Sequence, residues 1–432
     1  MSLMEVAQGA VRDKVRLVAF RILQRRDDVM GQLFDPVNRD DPYRLYDEIR
    51  AQGPVSMGPI NAMTVSHEVA NQVFRHPATR TGTAARNDLA DANALQRWLF
   101  RAPDRGDLVD PLGAESMIGL DGSEHARLRR LVSAEFTPSS IALMRPRLET
   151  VAARLVDDLP RDGFDLMDAF ANVFPVLAIC EVLGIPEDDH RQFRAWGSAL
   201  AADLDAIVPA PKQRAATKAL AELTAYLDTL VAHRRRDPGD DLLSRLAVLE
   251  QDGDQLTDRE LLSTCMLLLV AGFETTTNLI GNGMLALLDN RDQLDWLRDD
   301  LTRTPNAVEE LLRYDSPVQL SSRFVGEPLP VSDGSTLPVG DPLVIFLGGA
   351  NRDPDVFADP NQLDLGRPEA RRHLAFASGP HYCLGAALAR LEGEIAFTTL
   401  LDRLDDVRLA GPPVRRPTFV LRGLESLPLA AT

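Results

Sequence analysis

The chain has 432 residues, of which 45% are apolar and 26% charged. That is enough to bury a large core, and it excludes wholesale disorder, collagen and coiled coil. Acidic residues outnumber basic ones, 64 to 47, for a net charge of -17. Such a chain repels phosphate and is a poor nucleic-acid binder. The basic residues are nearly all arginine, with lysine only at Lys14, Lys212 and Lys218. Cysteine occurs at Cys180, Cys265 and Cys383. An odd, sparse set speaks against a disulfide framework and for a reducing, cytoplasmic compartment. No Cys-x-x-Cys pair or Cys/His cluster suggests zinc.

Taken in chain order, residues 11–26 form a cationic amphipathic stretch with Val15, Leu17, Val18, Ile22 and Leu23 among Arg and Lys. Its apolar runs are far shorter than the ~20 residues a bilayer requires, so it is read as a surface helix. It belongs to an N-terminal extension, residues 1–35. No linker or internal repeat follows, and residues 36–432 read as one domain. Residues 80–122 are irregular, with mixed Asp, Arg, Pro and Gly, as in a lid or binding loop. Helical spacing marks residues 139–159 and 213–233. Breaks fall at Gly184-Ile185-Pro186, at Pro209 to Pro211 and at Asp237-Pro238-Gly239. Residues 201–212 are a second candidate lid.

The segment 261–273, LLSTCMLLLVAGF, is apolar all round and too short to span a membrane, so it predicts a buried core helix. It runs directly into Glu274-Thr275-Thr276. A carboxylate in the most buried segment is costly without a purpose or a partner. Val318, Leu320 and Phe324 sit at even spacing, as on one strand face, and residues 343–347 form a second apolar run. Asp333-Gly334 between them predicts a hairpin turn. A weak strand pair is expected near residues 417–421, and a helix over 386–400. The fold class is therefore mainly α with small β-sheets.

Cys383 stands apart from the other cysteines. Cys180 and Cys265 lie inside apolar helical runs and read as core residues. Cys383 follows a Gly379-Pro380 turn and precedes a helix, where the dipole and free N–H groups favour a thiolate. Gly385 lets something flat approach the backbone. These features suit a metal ligand or a nucleophile.

The pattern Phe376-x-x-Gly379-x-His381-x-Cys383-x-Gly385-x-x-x-Ala389 resembles the haem-binding loop of the cytochrome P-450 family. Three further motifs occur in that family's order. Ala271-Gly272-Phe273-Glu274-Thr275-Thr276 resembles its oxygen-activation motif on the long central helix. Glu310-Leu-Leu-Arg313 resembles its Glu-x-x-Arg motif. Asn351-Arg352-Asp353-Pro354 with Phe357 and Asp359-Pro360 resembles the segment leading to the haem loop. Ala377 stands where many members have glycine, and a methyl there is expected to be tolerated at a φ below zero.

The resemblance implies a long central helix over haem b, with Cys383 as the axial thiolate ligand of its iron. It implies that N–H groups of Leu384 and Gly385 tune the sulfur, and that Phe376 packs on the proximal side. His125 and Arg129, spaced to share a helix face, resemble the family's propionate pair. Arg323 and His381 match other propionate-contacting positions, with His373 a weaker candidate. Glu310 and Arg313, together with Arg352, would support the haem loop. Thr275 would hydrogen-bond the oxygen being activated, while Glu274 helps to deliver protons through water. Back-bonding to the helix would account for Thr276 or Thr277. Leu267, Leu268, Ala271, Val318 and Leu320 are placed by position in an apolar substrate pocket.

The implied activity is insertion of one atom of O2 into an apolar small molecule. With no flavin or iron–sulfur module in view, electrons would come from a separate ferredoxin-type donor and its reductase. Arg127, Arg130, Arg371, Arg372 and Arg390 are a candidate basic patch for that donor. Two rival readings are a peroxide-using haem-thiolate peroxygenase or isomerase, and a non-enzymatic haem sensor.

Overall fold

The computed structural model describes residues 29–33, 35–58, 61–81, 107–113, 115–201, 210–251, 253–332, 334–337, 339 and 342–432. The stretch 11–26 and most of both candidate lids lie outside the described residues. Helices of eight or more residues are α1 (Tyr43–Arg50), α2 (His67–Arg75), α3 (Gly122–Ser133), α4 (Arg145–Asp157), α5 (Phe174–Leu183), α6 (His190–Ala201), α7 (Ala210–Arg236), α8 (Asp258–Asp289), α9 (Arg291–Arg298), α10 (Thr304–Tyr314) and α11 (Ala386–Arg403).

The apolar run of 261–273 is the first half of α8, which spans about 48 Å at 1.5 Å per residue. Its start is sharply specified: Thr257 caps the Glu260 amide, and Glu260 reaches back to the Thr257 amide. α8 is long and apolar enough to cross a membrane. It is buried instead, packed by α5, α6 and α11 and set within the main hydrophobic cluster. Gly283 makes the α11 crossing close, since a Cβ there would come 2.5 Å from Phe397 Cζ.

Two helices differ from their sequence expectation. The stretch 139–159 divides into a short turn, Pro138–Ala142, and α4, because Pro146 can only stand in the first turn of a new helix. The stretch 213–233 extends at both ends into α7. Gly184 ends α5 with φ 67°, as the Gly184-Ile185-Pro186 break requires.

The strands β1 (Ser56–Met57), β2 (Ala62–Thr64), β3 (Thr79–Arg80), β4 (Leu320–Val325) and β5 (Pro342–Phe346) form a sheet in the order β1-β2-β5-β4-β3. β4 and β5 pair antiparallel, with Arg323 opposite Leu343, and Gly334 takes φ 82° in the connection between them. Near the C-terminus the pairing segments are β6 (Val414–Arg415) and β7 (Leu424–Ser426). The strand pair expected near residues 417–421 is thus present, with 417–421 themselves in the turn between its strands and Leu421 making one isolated bridge to Val318.

Candidate functional site

Cys383 lies just ahead of α11, whose N-cap is Gly385. The loop leading to it uses left-handed backbone twice, at Ala377 (φ 55°) and Gly379 (φ 71°). The methyl of Ala377 therefore does not meet the condition, a φ below zero, under which it was expected to be tolerated. The tight turn there closes by a bond from the Ala377 amide to the Leu374 carbonyl, 2.8 Å. At Gly379 a Cβ would come 2.3 Å from the Phe74 carbonyl oxygen, so only glycine fits. The Cys383 amide donates to the Phe376 carbonyl at 3.0 Å, and the Gly385 amide donates to the sulfur. The lowered thiol pKa expected at a helix start is not the net result. Burial pushes the Cys383 thiol up, against the Gly385 amide and the charges of Arg129 and Arg390.

The four residues expected at the propionates converge. The rings of His125 (on α3) and His381 stack with centroids 4.0 Å apart. His381 Nε2 pairs with Asp121 Oδ1 at 2.9 Å. Asp121 also accepts the Thr81 amide at 2.8 Å. His125 is buried, and its Nε2 has no hydrogen-bond partner among the described residues. Burial, His381 and Arg129 push His125 down to about 4. Arg323, buried on β4, donates among the described residues to Ser321 Oγ and the Ser322 carbonyl, and its guanidinium lies 4.9 Å from the Phe74 ring centre. Burial lowers it to about 10, with Asp121 alone opposing. Arg129 is lowered by burial too, and the charge on Cys383 opposes that shift.

A buried imidazole nitrogen left without a partner and a buried guanidinium opposed only by Asp121 are both costly, so this cluster suits negative, hydrogen-bond-accepting groups. Two carboxylates on one flat molecule would supply them. Beside the sulfur, no described residue other than the chain next to Gly385 lies within 4 Å of the point a Cβ of Gly385 would occupy. Among the described residues no group of three or more His, Cys, Asp or Glu could hold a metal ion. A lone cysteine ligand suits a metal that brings its other ligands with it, as haem iron does. The donor set therefore fits haem b.

On α8, Glu274 is buried and ion-paired with Arg416, which follows β6. Thr275 next to it back-bonds through its hydroxyl to the Ala271 carbonyl at 2.8 Å. Thr276 does the same to Gly272 at 3.1 Å. Thr277, by contrast, reaches off the helix to the Ala171 carbonyl at 2.9 Å. The back-bonding expected of Thr276 or Thr277 thus belongs to Thr275 and Thr276. Sequence reading missed a second buried acid, Glu392 on α11. It hydrogen-bonds Thr276, and burial pushes it up to about 8.

Glu310 and Arg313 pair fully buried, Nε to Oε2 at 2.6 Å and Nη2 to Oε1 at 2.7 Å. Arg313 also donates to the carbonyls of Asn351, Pro360 and Gln362, which fastens the segment ahead of the cysteine loop. The third partner is Arg367, whose Nε lies 3.2 Å from Glu310 Oε1, and not Arg352 as the sequence reading has it. Arg352 is drawn away by two aromatic faces, 3.4 Å from the Tyr43 ring centre and 4.5 Å from that of Tyr314, and donates to the Tyr314 carbonyl. His373, the weaker propionate candidate, instead bonds Glu309 at 3.0 Å.

The expected basic patch is largely neutralised. Arg127 pairs with Asp254 and Glu260, Arg130 with Asp254, and Arg390 with Glu309. Arg371 and Arg372 remain exposed, with Arg371 Nε 3.5 Å from Glu309 Oε1. Of the expected pocket residues, Leu267, Ala271 and Val318 are half-buried, while Leu268 lies in the main core. Leu320 packs against the cluster around Leu45, Tyr46 and Phe346. Strand alternation puts it on the face opposite Arg323, away from the site.

A family model described as Cytochrome P450 matches residues 192–405. A putative cytochrome P450 140 of Mycobacterium bovis is 39% identical over 411 residues, 94% of this chain and 92% of the relative. The cytochrome P450 monooxygenase PikC of Streptomyces venezuelae is 39% identical across 90% of this chain and 91% of its own. The ligand-free crystal structure of Mycobacterium smegmatis CYP164A2 superposes with a TM-score of 0.82 at 38% identity, over 93% of this chain and 99% of that one. A mostly helical fold with small sheets, a cysteine loop matched to haem and relatives alike over nearly their whole length lead to one conclusion: the chain belongs to the cytochrome P450 family.

Proposed function

We propose that this oxygen-incorporating oxidoreductase holds haem b through Cys383 and hydroxylates or epoxidises an apolar small molecule in the cytoplasm, using electrons from a separate ferredoxin-type protein and its reductase. The single observation that carries the reading is the cluster of His125, Arg129, Arg323 and His381 beside Cys383, in which His125 Nε2 has no partner among the described residues and only Asp121 opposes the buried charge of Arg323. Haem, when bound, supplies the activation of O2. The chain's own residues do the rest. His125, Arg129, Arg323 and His381 hold the two carboxylates and so fix the ring's orientation. The Gly385 amide stabilises the anionic sulfur.

Thr275 spends its proton on the Ala271 carbonyl, which leaves its oxygen free to accept one from a neighbour. Glu274, held as a carboxylate by Arg416, would take up a proton and pass it toward Thr275 through water. Leu267, Ala271 and Val318 exclude water from the reacting face. Arg372 and the largely exposed Arg371, which also pairs with Glu309, are the proposed contacts for an acidic electron donor.

The test is turnover by the purified haem-loaded protein with a surrogate ferredoxin and reductase. Substrates would come from a library screen for compounds that shift the ferric spectrum to high spin. Product with O2 consumed in near-equal amount supports the reading. Faster turnover with peroxide alone than with the ferredoxin system contradicts it.

A further inference from the structure

The adjacent acids Glu309 and Glu310 on α10 serve different neighbours, because consecutive helix positions point about 100° apart. Glu310 fastens the segment before the cysteine loop through Arg313 and Arg367. Glu309 is equally buried, with a side chain 3% exposed, yet none of its partners belongs to that network. Arg390 forks onto it, Nε to Oε1 at 2.8 Å and Nη2 to Oε2 at 3.1 Å. His373 Nε2 lies 3.0 Å from Oε2. The Ala375 amide donates to His373 Nδ1 at 3.0 Å, so in the neutral ring the proton sits on Nε2 and is given to Glu309. His373 precedes Cys383 in the chain and Arg390 follows it on α11. One carboxylate thus ties the entry of the cysteine loop to its exit.

Both groups held by Glu309 also rest on Phe376. The Arg390 guanidinium carbon lies 4.6 Å from the ring centre, and the His373 ring lies 5.5 Å away, centre to centre. Arg390 Nη1 also donates to the Tyr382 hydroxyl at 3.0 Å. Phe376 accepts the Cys383 amide through its carbonyl, and Tyr382 is the residue joined to Cys383 in the chain. Glu309 also pairs with the exposed Arg371, Nε to Oε1 at 3.5 Å, but its two hydrogen-bonded paths, through Arg390 and through His373, both end one covalent or hydrogen-bonded step from the sulfur's residue.

We propose that Glu309 is a positioning residue for the Cys383 ligand, acting through Arg390 and His373 on Phe376 and Tyr382. This rests on the reading of Cys383 as the ligand of haem iron. The Glu309–Arg390–His373 unit sets how closely Phe376 and the loop amides are held to the sulfur, and hence how strongly the thiolate is stabilised once iron is bound. It does not touch the reacting atoms.

The experiment compares the haem-loaded wild type with Glu309→Gln and Arg390→Lys. It measures haem content, melting temperature, reduction potential, and the fraction of the reduced, carbon monoxide-treated protein that shows the thiolate signature. Both variants keep the Glu310–Arg313 network and are expected to take up haem. Both are expected to shift the potential in the same direction and to lose part of the thiolate signature, Arg390→Lys by less because its charge is retained. A lowered melting temperature with potential and signature unchanged would mean a merely structural role and would overturn the proposal. Should Glu309→Gln fail to fold, Arg390→Lys decides by the same criteria. Cys383→Ala separates the two levels: survival of the thiolate signature in that variant refutes the underlying reading rather than the role of Glu309.

Discussion

Arg416 is ion-paired with Glu274, so the acid of the central helix is held by a guanidinium from the C-terminal hairpin. Arg416 is itself fixed by the Leu424 carbonyl at 2.9 Å and Asn172 Oδ1 at 3.0 Å. Its side chain is 23% exposed against 6% for Glu274, which makes it the link between the buried acid and the outside. Replacing it with methionine leaves a buried carboxylate unpaired. The expected cost is about 2 kcal/mol, below the range for fully buried pairs because Arg416 is partly solvated. An unpaired buried carboxylate also takes up a proton at higher pH. The pH dependence of product formed per O2 consumed is therefore expected to move upward in Arg416→Met and to stay near wild type in Arg416→Lys. Urea titration and an oxygen electrode measure the two effects.

The two left-handed positions in the cysteine loop predict opposite outcomes. Ala377→Gly removes a side chain from a conformation that costs an L-residue about 1–2 kcal/mol, offset in part by the greater freedom of glycine in the unfolded chain. A net gain of about 1 kcal/mol is expected. Gly379→Ala forces a methyl into the Phe74 carbonyl and is expected to lose haem uptake altogether. Thermal melting and haem content separate the two.

Glu392 gives the fold a pH dependence with a definite sign. Burial raises its folded pKa to about 8, above the ordinary carboxylate value of about 4.3. A raised folded pKa means that the native state binds more protons in that interval. The stability is present in full below the unfolded value and is lost as pH rises through 8. Glu392→Gln keeps the shape and removes the titration. It is expected to abolish this slope and to be the more stable protein at pH 9, by an amount on the order of a few kcal/mol. Urea titrations of both proteins at pH 6 and pH 9 test this.

Glu310→Ala leaves Arg313 buried, charged and unpaired, a loss of about 3–5 kcal/mol. The prediction is a protein that fails to retain haem. A variant purified with full haem content would contradict the supporting role given to the pair.

What could be read from the residues was what depends on local spacing. The Glu310–Arg313 pair lies one helical turn apart, His125 and Arg129 share a face of α3, and the glycines around Cys383 mark its turn. The partners that come from distant chain were not legible. Arg416 stands 142 positions from Glu274, and no period or propensity brings them together. Arg352 and Arg367 both follow Arg313. Only the packing of Tyr43 and Tyr314 around Arg352 decides that Arg367 reaches Glu310. The strand pair near residues 417–421 was legible, but not which residues would make its turn: β6 and β7 flank 417–421 rather than include them. Ala377 shows the limit of reading a backbone angle from residue type: the turn imposes the φ, and the alanine bears it.

The most direct test is the absorption spectrum of the reduced protein under carbon monoxide. The wild type is expected to show the band diagnostic of an anionic sulfur ligand on haem iron, and Cys383→Ala is expected to lose it. No such band in haem-loaded wild type, or the same band in Cys383→Ala, would contradict the account.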